Sequence, residues 1–269
     1  MTPSVYRVRA SSWGSLFDCA FRWEGEHLLS IRKPSGMRAH LGTSVHAATA
    51  AFDAARLPGA EPIEVDAAAG VFVDALRKPE REVDFSGDEL SLSQAERIGL
   101  ALVGIYCTEL APRFEFVAVE AELEPLDIDC GGGIVVRLTG TMDRARVART
   151  DGGTVIPDIK TGSRVIVDGV AQVRGRAPQL GTYQLMYEAT TGELTSGAQV
   201  IALQTSSRPA GAASRVIDAR RVMVGTGEAP GLIQHAAAMF RTGLFPPNTQ
   251  SVLCSERYCA RWNSCPYHE

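Results

Sequence analysis

Asp158 and Lys160 stand two apart in "VIPDIKTG" (residues 155–162), behind a short apolar run and before a glycine. In an extended strand, residues i and i+2 share a face, so the carboxylate and the ammonium project side by side while Ile159 points away. A carboxylate so placed suits Mg²⁺, an ion that takes few protein oxygens and fills its remaining positions with water and substrate phosphates. A lysine beside it can neutralise charge developing on a phosphate or help to activate a water. Alone, such a pair is most often a surface ion pair. Its company changes that. Asp143 ends "GTMD", fifteen residues upstream of Asp158, a separation that fits two strands joined by a tight turn. His46 can add an imidazole from a helix nearer the N-terminus. Gln179 and Tyr183, four apart, share one face of a following helix.

A second set of residues suggests a second site. Cys254, Cys259 and Cys265, three of the six cysteines, fall within twelve residues. Three thiolates on one loop need a fourth ligand to hold a zinc ion or an iron–sulfur cluster. Two residues can supply it: His268, which gives a local zinc site, or Cys19, which gives a four-cysteine site. Cys107 lies in an apolar helical pattern and reads as a buried thiol. Cys130 borders a turn and reads as a bystander.

The elements that position these residues follow from periodicity. A first helix starts near Ser11 or Ser12, with Trp13, Leu16, Phe17 and Ala20 on one face and Cys19 beside them. A second starts at Gly42 to Ser44, which puts His46 in its first turn. A third covers 66–77, and a fourth is opened by a capping box of Ser93 and Glu96. From Phe114 the period changes to two: "FEFVAVEAELE", "IVVRLTGTMDRARV" and "TVIPDIK" read as an antiparallel meander with turns at 131–133 and 151–153. Glu120 and Glu122, in the first of these strands, read first as solvated strand-face acids and second as contributors to the site. "APQLGTYQLMYEAT" is a helix, "GAQVIALQTS" a strand, 214–224 a further strand, and "APGLIQHAAAMFRTG" a helix closed by Gly243.

Composition narrows the class. With 269 residues, 45% of them hydrophobic, the chain can bury a large core. No apolar run approaches the roughly 20 residues of a membrane span. Charges at Arg7, Arg9, Asp18 and Arg22 are unlike a signal peptide, so a cytoplasmic protein is expected, in which disulfides are disfavoured, and the Ala-, Gly- and Arg-rich composition points to a bacterium or phage. A net charge of −4 gives no global sign of a nucleic-acid partner. Locally, Arg22, Arg32, Lys33 and Arg38, and later Arg164, Arg174 and Arg176, form either a solvated surface or a phosphate track.

In order along the chain, Gly42–His46, Gly140–Asp143, Asp158–Lys160–Thr161–Gly162 and Gln179–Tyr183 resemble the signature of the RecB-like branch of the PD-(D/E)xK nuclease superfamily. The resemblance implies a central mixed β-sheet flanked by helices, an α/β restriction-endonuclease-like core. It implies one nuclease domain over 1–269, with a helical part at 1–110, the core at 111–227, and a C-terminal helix and cysteine cluster at 228–269. His46, Asp143, Asp158 and the carbonyl of Ile159 become ligands of one or two Mg²⁺ or Mn²⁺ ions, Lys160 the catalytic lysine, and Gln179 and Tyr183 supports of the site or strand. The implied substrate is DNA, single-stranded or with free ends, and the activity that of an exonuclease. "SLFDCAFRW" around Cys19 resembles the first ligand segment of an iron–sulfur subset with CRISPR-associated and AddB-type members, so Cys19, Cys254, Cys259 and Cys265 would bind a [4Fe-4S] cluster. The gap between Cys254 and Cys259 is longer than those relatives use. Two rivals remain: a non-catalytic subunit of a recombination or CRISPR-adaptation complex, and an interaction protein stabilised by zinc.

Overall fold

The computed structural model describes residues 2–84, 90–148 and 152–268. Strand β1 (Ser4–Arg9) leads into α1 (Trp13–Asp18) and α2 (Ala20–His27). Cys19 between them is extended (φ −146°, ψ 96°), so the single first helix expected from the sequence is broken there. The short strand β2 (Ser35–Gly36) precedes α3 (Met37–Ala54), and α4 (Val65–Arg77), β3 (Val83–Asp84) and α5 (Leu92–Ile105) follow. α3 begins before the Gly42–Ser44 region assigned to its start. Met37, Leu41, Val45, Ala48 and Phe52 form one continuous buried stripe that carries the helix upstream, and His46 is mid-helix. α5 is opened by Ser91 and Gln94, not by Ser93 and Glu96. Ser91 Oγ accepts from the Gln94 N–H at 3.3 Å, and Gln94 Oε1 accepts from the Ser91 N–H at 2.9 Å. Glu96 pairs instead with Arg77 of α4 at 2.8 Å.

The strands β4 (Phe116–Glu122), β5 (Leu126–Asp129), β6 (Ile134–Thr139), β7 (Thr141–Val147) and β8 (Thr154–Gly162) come next. A ribbon of β9 (Ile166–Val167) and β10 (Val170–Ala171) precedes α6 (Ala177–Thr191). The chain continues through β11 (Thr195–Gln204), β12 (Ala210–Ala213), α7 (Arg220–Val224) and α8 (Leu232–Thr242), which ends at Gly243 as expected. The central sheet has the order β12–β11–β8–β7–β4, with β11 and β8 parallel and the other neighbours antiparallel. With helices on it, this is the mixed α/β architecture that the sequence implied.

The meander needs correction. "IVVRLTGTMDRARV" is two strands divided at Gly140: β6 joins a second sheet, ordered β1–β6–β5, while β7 stays in the central one. A Cβ at Gly140 would lie 2.9 Å from the Tyr183 ring and 3.2 Å from Ala10, so only glycine lets the chain cross there. The turn expected at 151–153 falls partly outside the described residues. Residues 214–224 do not form the expected strand. Ser214 caps the ladder, its Oγ accepting the Val200 N–H at 3.0 Å and its carbonyl accepting from Gln199 Nε2 at 2.5 Å. One bridge, Ala198–Ile217, remains before the chain winds into α7.

Alternation along the central strands assigns the two faces. Val200 and Ala202 of β11 pack with Leu180 and Tyr183 of α6, whereas Ile201 and Leu203 pack with α3, α4 and α5. β8 follows the same rule, with Ile156 on the α6 side and Ile159 on the α3 side. Asp158 and Lys160 therefore face α6. A third core joins β1, α1, α2, β6 and α8 around Trp13, Trp23 and Phe240. Among the described residues no helix is long and apolar enough to cross a membrane.

α6 carries Gln179 and Tyr183, and its seat depends on Gly181, where a Cβ would lie 2.3 Å from the Ala219 carbonyl oxygen. Gly181→Ala should therefore lower stability by about 1–3 kcal/mol through overpacking. Gly70→Ala, at an exposed position of α4 where a Cβ meets nothing within 4 Å, should raise it by about 0.5–1 kcal/mol through helix propensity. Urea unfolding of both variants checks the contrast.

Candidate metal centre and cysteine cavity

The site forms where two strands part. β7 and β8 pair through Arg146–Val155 and Val147–Thr154 at their hairpin end. Farther along, the Asp143 side chain bridges the gap, its Oδ2 accepting the Ile159 N–H at 2.9 Å. α3 crosses this opening. Gly42, His46, Thr49 and Asp53 are spaced i, i+4, i+7, i+11 and form its sheet-facing stripe. A Cβ at Gly42 would lie 2.6 Å from Thr161 Oγ1 on β8, so the glycine of the first motif lets the helix approach. His46 Nδ1 then lies 3.6 Å from Asp143 Oδ2.

A third side chain that could hold a metal comes from β4. Ligand atoms of His46, Glu120 and Asp143 all lie within 4.8 Å of one another. The sequence left Glu120 between a solvated acid and a contributor, because alternation shows which face a residue shares and not what lies opposite; its side chain is 45% exposed and also reaches the cluster. Its backbone is in the left-handed region (φ 47°), a conformation that non-glycine residues rarely adopt and that recurs at functional sites. Arg144, which the sequence did not single out, is fully buried and organises the group. Its guanidinium donates to Glu120 Oε1 at 3.1 Å, to the Asp143 carbonyl at 2.6 Å and to Asp53 Oδ2 at 2.7 Å. Tyr106 donates to the same Asp53 oxygen.

Asp158 is held apart from that trio. Lys160 Nζ lies 2.9 Å from its Oδ1 and 2.7 Å from its Oδ2, and Gln179 Nε2 donates to Oδ1 at 3.1 Å and to the Tyr183 hydroxyl at 3.1 Å. Oδ2 is buried with a charge beside it yet lacks a partner in hydrogen-bond geometry. The two-residue spacing thus produces the shared site expected of it, and α6 contributes Gln179 and Tyr183 to the same place. Burial pushes the Asp158 carboxyl up to about 7; Lys160 opposes this and Asp143 adds to it. Burial also lowers His46, against the pull of Asp143 and with the help of Lys160, which favours the neutral imidazole that a metal requires. Burial first, then Asp143, raises Glu120. A cluster of carboxylates and a neutral imidazole, with Arg144 and Lys160 beside it and Glu120 open to solvent, is a donor set that fits a hard divalent ion.

The cysteines meet in a second place, between the first helices and the C-terminal loop. Cys19, Cys254, Cys259 and Cys265 line one small cavity with Phe21, Arg22 and Trp262. The break between α1 and α2 is at Cys19, and the C-terminal loop docks on α2. Arg261 donates to the Phe21 carbonyl at 2.9 Å and to Glu24 at 2.5 Å, and Ser251 donates to Asp18 at 2.6 Å. All four thiols are free of disulfides, and the set fits a thiolate-bound metal or cluster. His268 is turned away: it stacks on Trp262 with 3.7 Å between ring centroids, and its Nε2 lies 2.5 Å from the Trp262 carbonyl. Arg22, counted in the basic excess, is buried against this cavity between Asp18 and Glu26, so it belongs to no surface track. Cys107 is buried among apolar residues, with its thiol pushed up to about 12 by burial.

Comparison with known proteins bears on both regions. The family model described as "PD-(D/E)XK nuclease superfamily" matches residues 10–266. A crystal structure from Eubacterium rectale described as a "Putative exonuclease" superposes with a TM-score of 0.55 at 13% identity, covering 92% of this chain and 86% of that one. At that identity the likeness is one of fold. No curated protein matches the sequence.

The raised Asp158 pKa sets a pH dependence. Folding favours its protonated form, a contribution fully present below the ordinary value of 3.8 and lost as pH rises through about 7. A divalent cation competes with that proton, so Mn²⁺ should raise the melting temperature more at pH 8 than at pH 6. Glu120→Gln should shrink the pH 8 shift, and equal shifts in all three measurements would contradict the donor set.

Proposed function

The chain belongs to the PD-(D/E)XK nuclease superfamily, and from that premise we propose that it is a deoxyribonuclease of the RecB-like branch, dependent on Mg²⁺ or Mn²⁺. On this reading it is an exonuclease on single-stranded or end-containing DNA, and residues 1–269 act as one nuclease domain. The observation that carries the proposal is the pairing of Lys160 with Asp158 beside the His46, Glu120 and Asp143 cluster. All four motifs of the resemblance contribute to that one place, from α3, β7, β8 and α6.

His46, Glu120, Asp143, Asp158 and the carbonyl of Ile159 would hold one or two cations. A bound divalent cation supplies positive charge to the scissile phosphate and acidity to a water. The protein supplies position and protons. Lys160 brings a positive charge to within 2.7 Å of Asp158, where it orients the attacking water or offsets charge gathering on the phosphate. Gln179 fixes Asp158 and Tyr183 together. Burial and then the carboxylates Asp143 and Asp158 push the Tyr183 hydroxyl up, so it keeps its proton and remains a donor toward an anionic strand. Arg144 keeps Glu120 and the Asp143 backbone in register.

The four-cysteine cavity supports a [4Fe-4S] cluster with a structural role, stapling the C-terminal loop to α2. Inclusion of Cys19 and the turned-away His268 favour this over a local zinc site. The buried Arg22 guanidinium would offset the negative charge of four thiolates.

Asp158→Ala or Lys160→Ala should reduce Mn²⁺-dependent degradation of end-labelled single-stranded DNA by about a thousandfold or more, with unchanged circular dichroism. Full activity in either variant would remove these residues from the mechanism. Protein purified without oxygen should be brown and contain iron, and Cys19→Ser should lose that iron. Zinc content unchanged by the substitution would point to a local site instead.

A further inference from the structure

A cleft of about 440 Å³ opens at the N-terminal end of α3, between the α2–α3 connection and the cysteine loop. Arg32, Lys33, Arg38 and Arg257 line it, together with Tyr258. The carboxylates in the same lining are Glu26 and Asp84, so cations outnumber them four to two. Glu26 is partly engaged by Arg22 at 3.7 Å. Arg32, Lys33, Arg38 and Arg257 are all exposed. Tyr258 is 47% exposed, with the Arg257 guanidinium 5.2 Å from its ring centroid.

The place of this cleft follows from helix geometry. Ala39, which lines it, precedes His46 by seven residues, so both fall on the same face of α3, about 10 Å apart along the axis. That is the length of about three stacked nucleotides at roughly 3.4 Å each. The volume lies within the usual range for a small-ligand pocket, roughly 300–1,000 Å³. Cations around an exposed aromatic ring are what a single strand requires: charge for its phosphates and a face for its bases.

Building on the nuclease reading above, we propose that this cleft is a strand-holding subsite, in which single-stranded DNA lays a phosphate among Arg32, Lys33, Arg38 and Arg257 and a base on Tyr258, about three nucleotides from the bond that is cut. Phosphate contact gives grip and register; Tyr258 selects an unpaired base. The cysteine loop thereby contributes to substrate binding through Arg257 and Tyr258, which stand between Cys254 and Cys259.

Steady-state kinetics with Mn²⁺ tests this, using a single-stranded DNA oligonucleotide and, as a phosphodiester too small to reach the cleft, bis(p-nitrophenyl) phosphate. The double variant Arg32→Ala/Arg38→Ala should raise KM for the oligonucleotide about tenfold or more and lessen the salt dependence of log KM by about 1.4, roughly 0.7 for each cation removed from a single strand. Tyr258→Ala should raise that KM roughly fivefold to a hundredfold. In both, kcat should fall less than KM rises. Unchanged KM and salt slope in both variants, or an equal loss on the small diester, would overturn the subsite while leaving the nuclease reading intact. Failure of the unmodified protein to cleave either substrate would overturn the nuclease reading, and the subsite with it.

Discussion

A single buried guanidinium holds the candidate metal centre together. Arg144 reaches from β7 to Asp53 and Thr49 on α3 and to Glu120 on β4, while bonding to the Asp143 carbonyl on its own strand. Its side chain and that of Asp53 are both fully buried, and removing one partner of such a pair typically costs about 3–5 kcal/mol because the other charge is stranded. Helix and sheet are thereby bound to one relative position. His46 lies one turn from Thr49 and two from Asp53 on the same stripe of α3, so the ion pair that anchors the stripe also aims the imidazole.

Around that anchor, the partly unzipped β7–β8 hairpin explains why the carboxylates are where they are. A fully paired hairpin would satisfy the Ile159 N–H with a carbonyl; here Asp143 takes it, and the space between the strands is lined by side chains. On the other face of β8, Lys160 and Gln179 crowd Asp158, leaving one buried oxygen without a hydrogen bond. Burying a carboxylate is costly, which the neighbouring Lys160 offsets and the raised Asp158 pKa reflects.

The sequence carried the chemistry more clearly than the architecture. Asp158 and Lys160 could be read together because a strand has period two, and Gln179 and Tyr183 because a helix turn is four residues; both relations are local. Arg144 could not be read so, and Glu120 only as a second choice, since their meaning lies in cross-strand and helix–sheet contacts between residues as much as 95 apart. The division of one apolar run at Gly140 into two sheets, and the capping of β11 by Ser214, likewise depend on neighbours distant in sequence. The cysteine loop lies between these cases. Its three cysteines are legible as a cluster, but Cys19 joins them only through the docking of Arg261 and Ser251 on the first helices.

The central claim is that α3, β4, β7 and β8 converge on one divalent-cation site. Anomalous scattering from crystals of the protein soaked in Mn²⁺ tests it most directly. The account predicts a strong anomalous peak bounded by His46, Glu120, Asp143 and Asp158. A peak elsewhere, with Glu120 still on Arg144 and Asp158 still on Lys160 and Gln179, would contradict it.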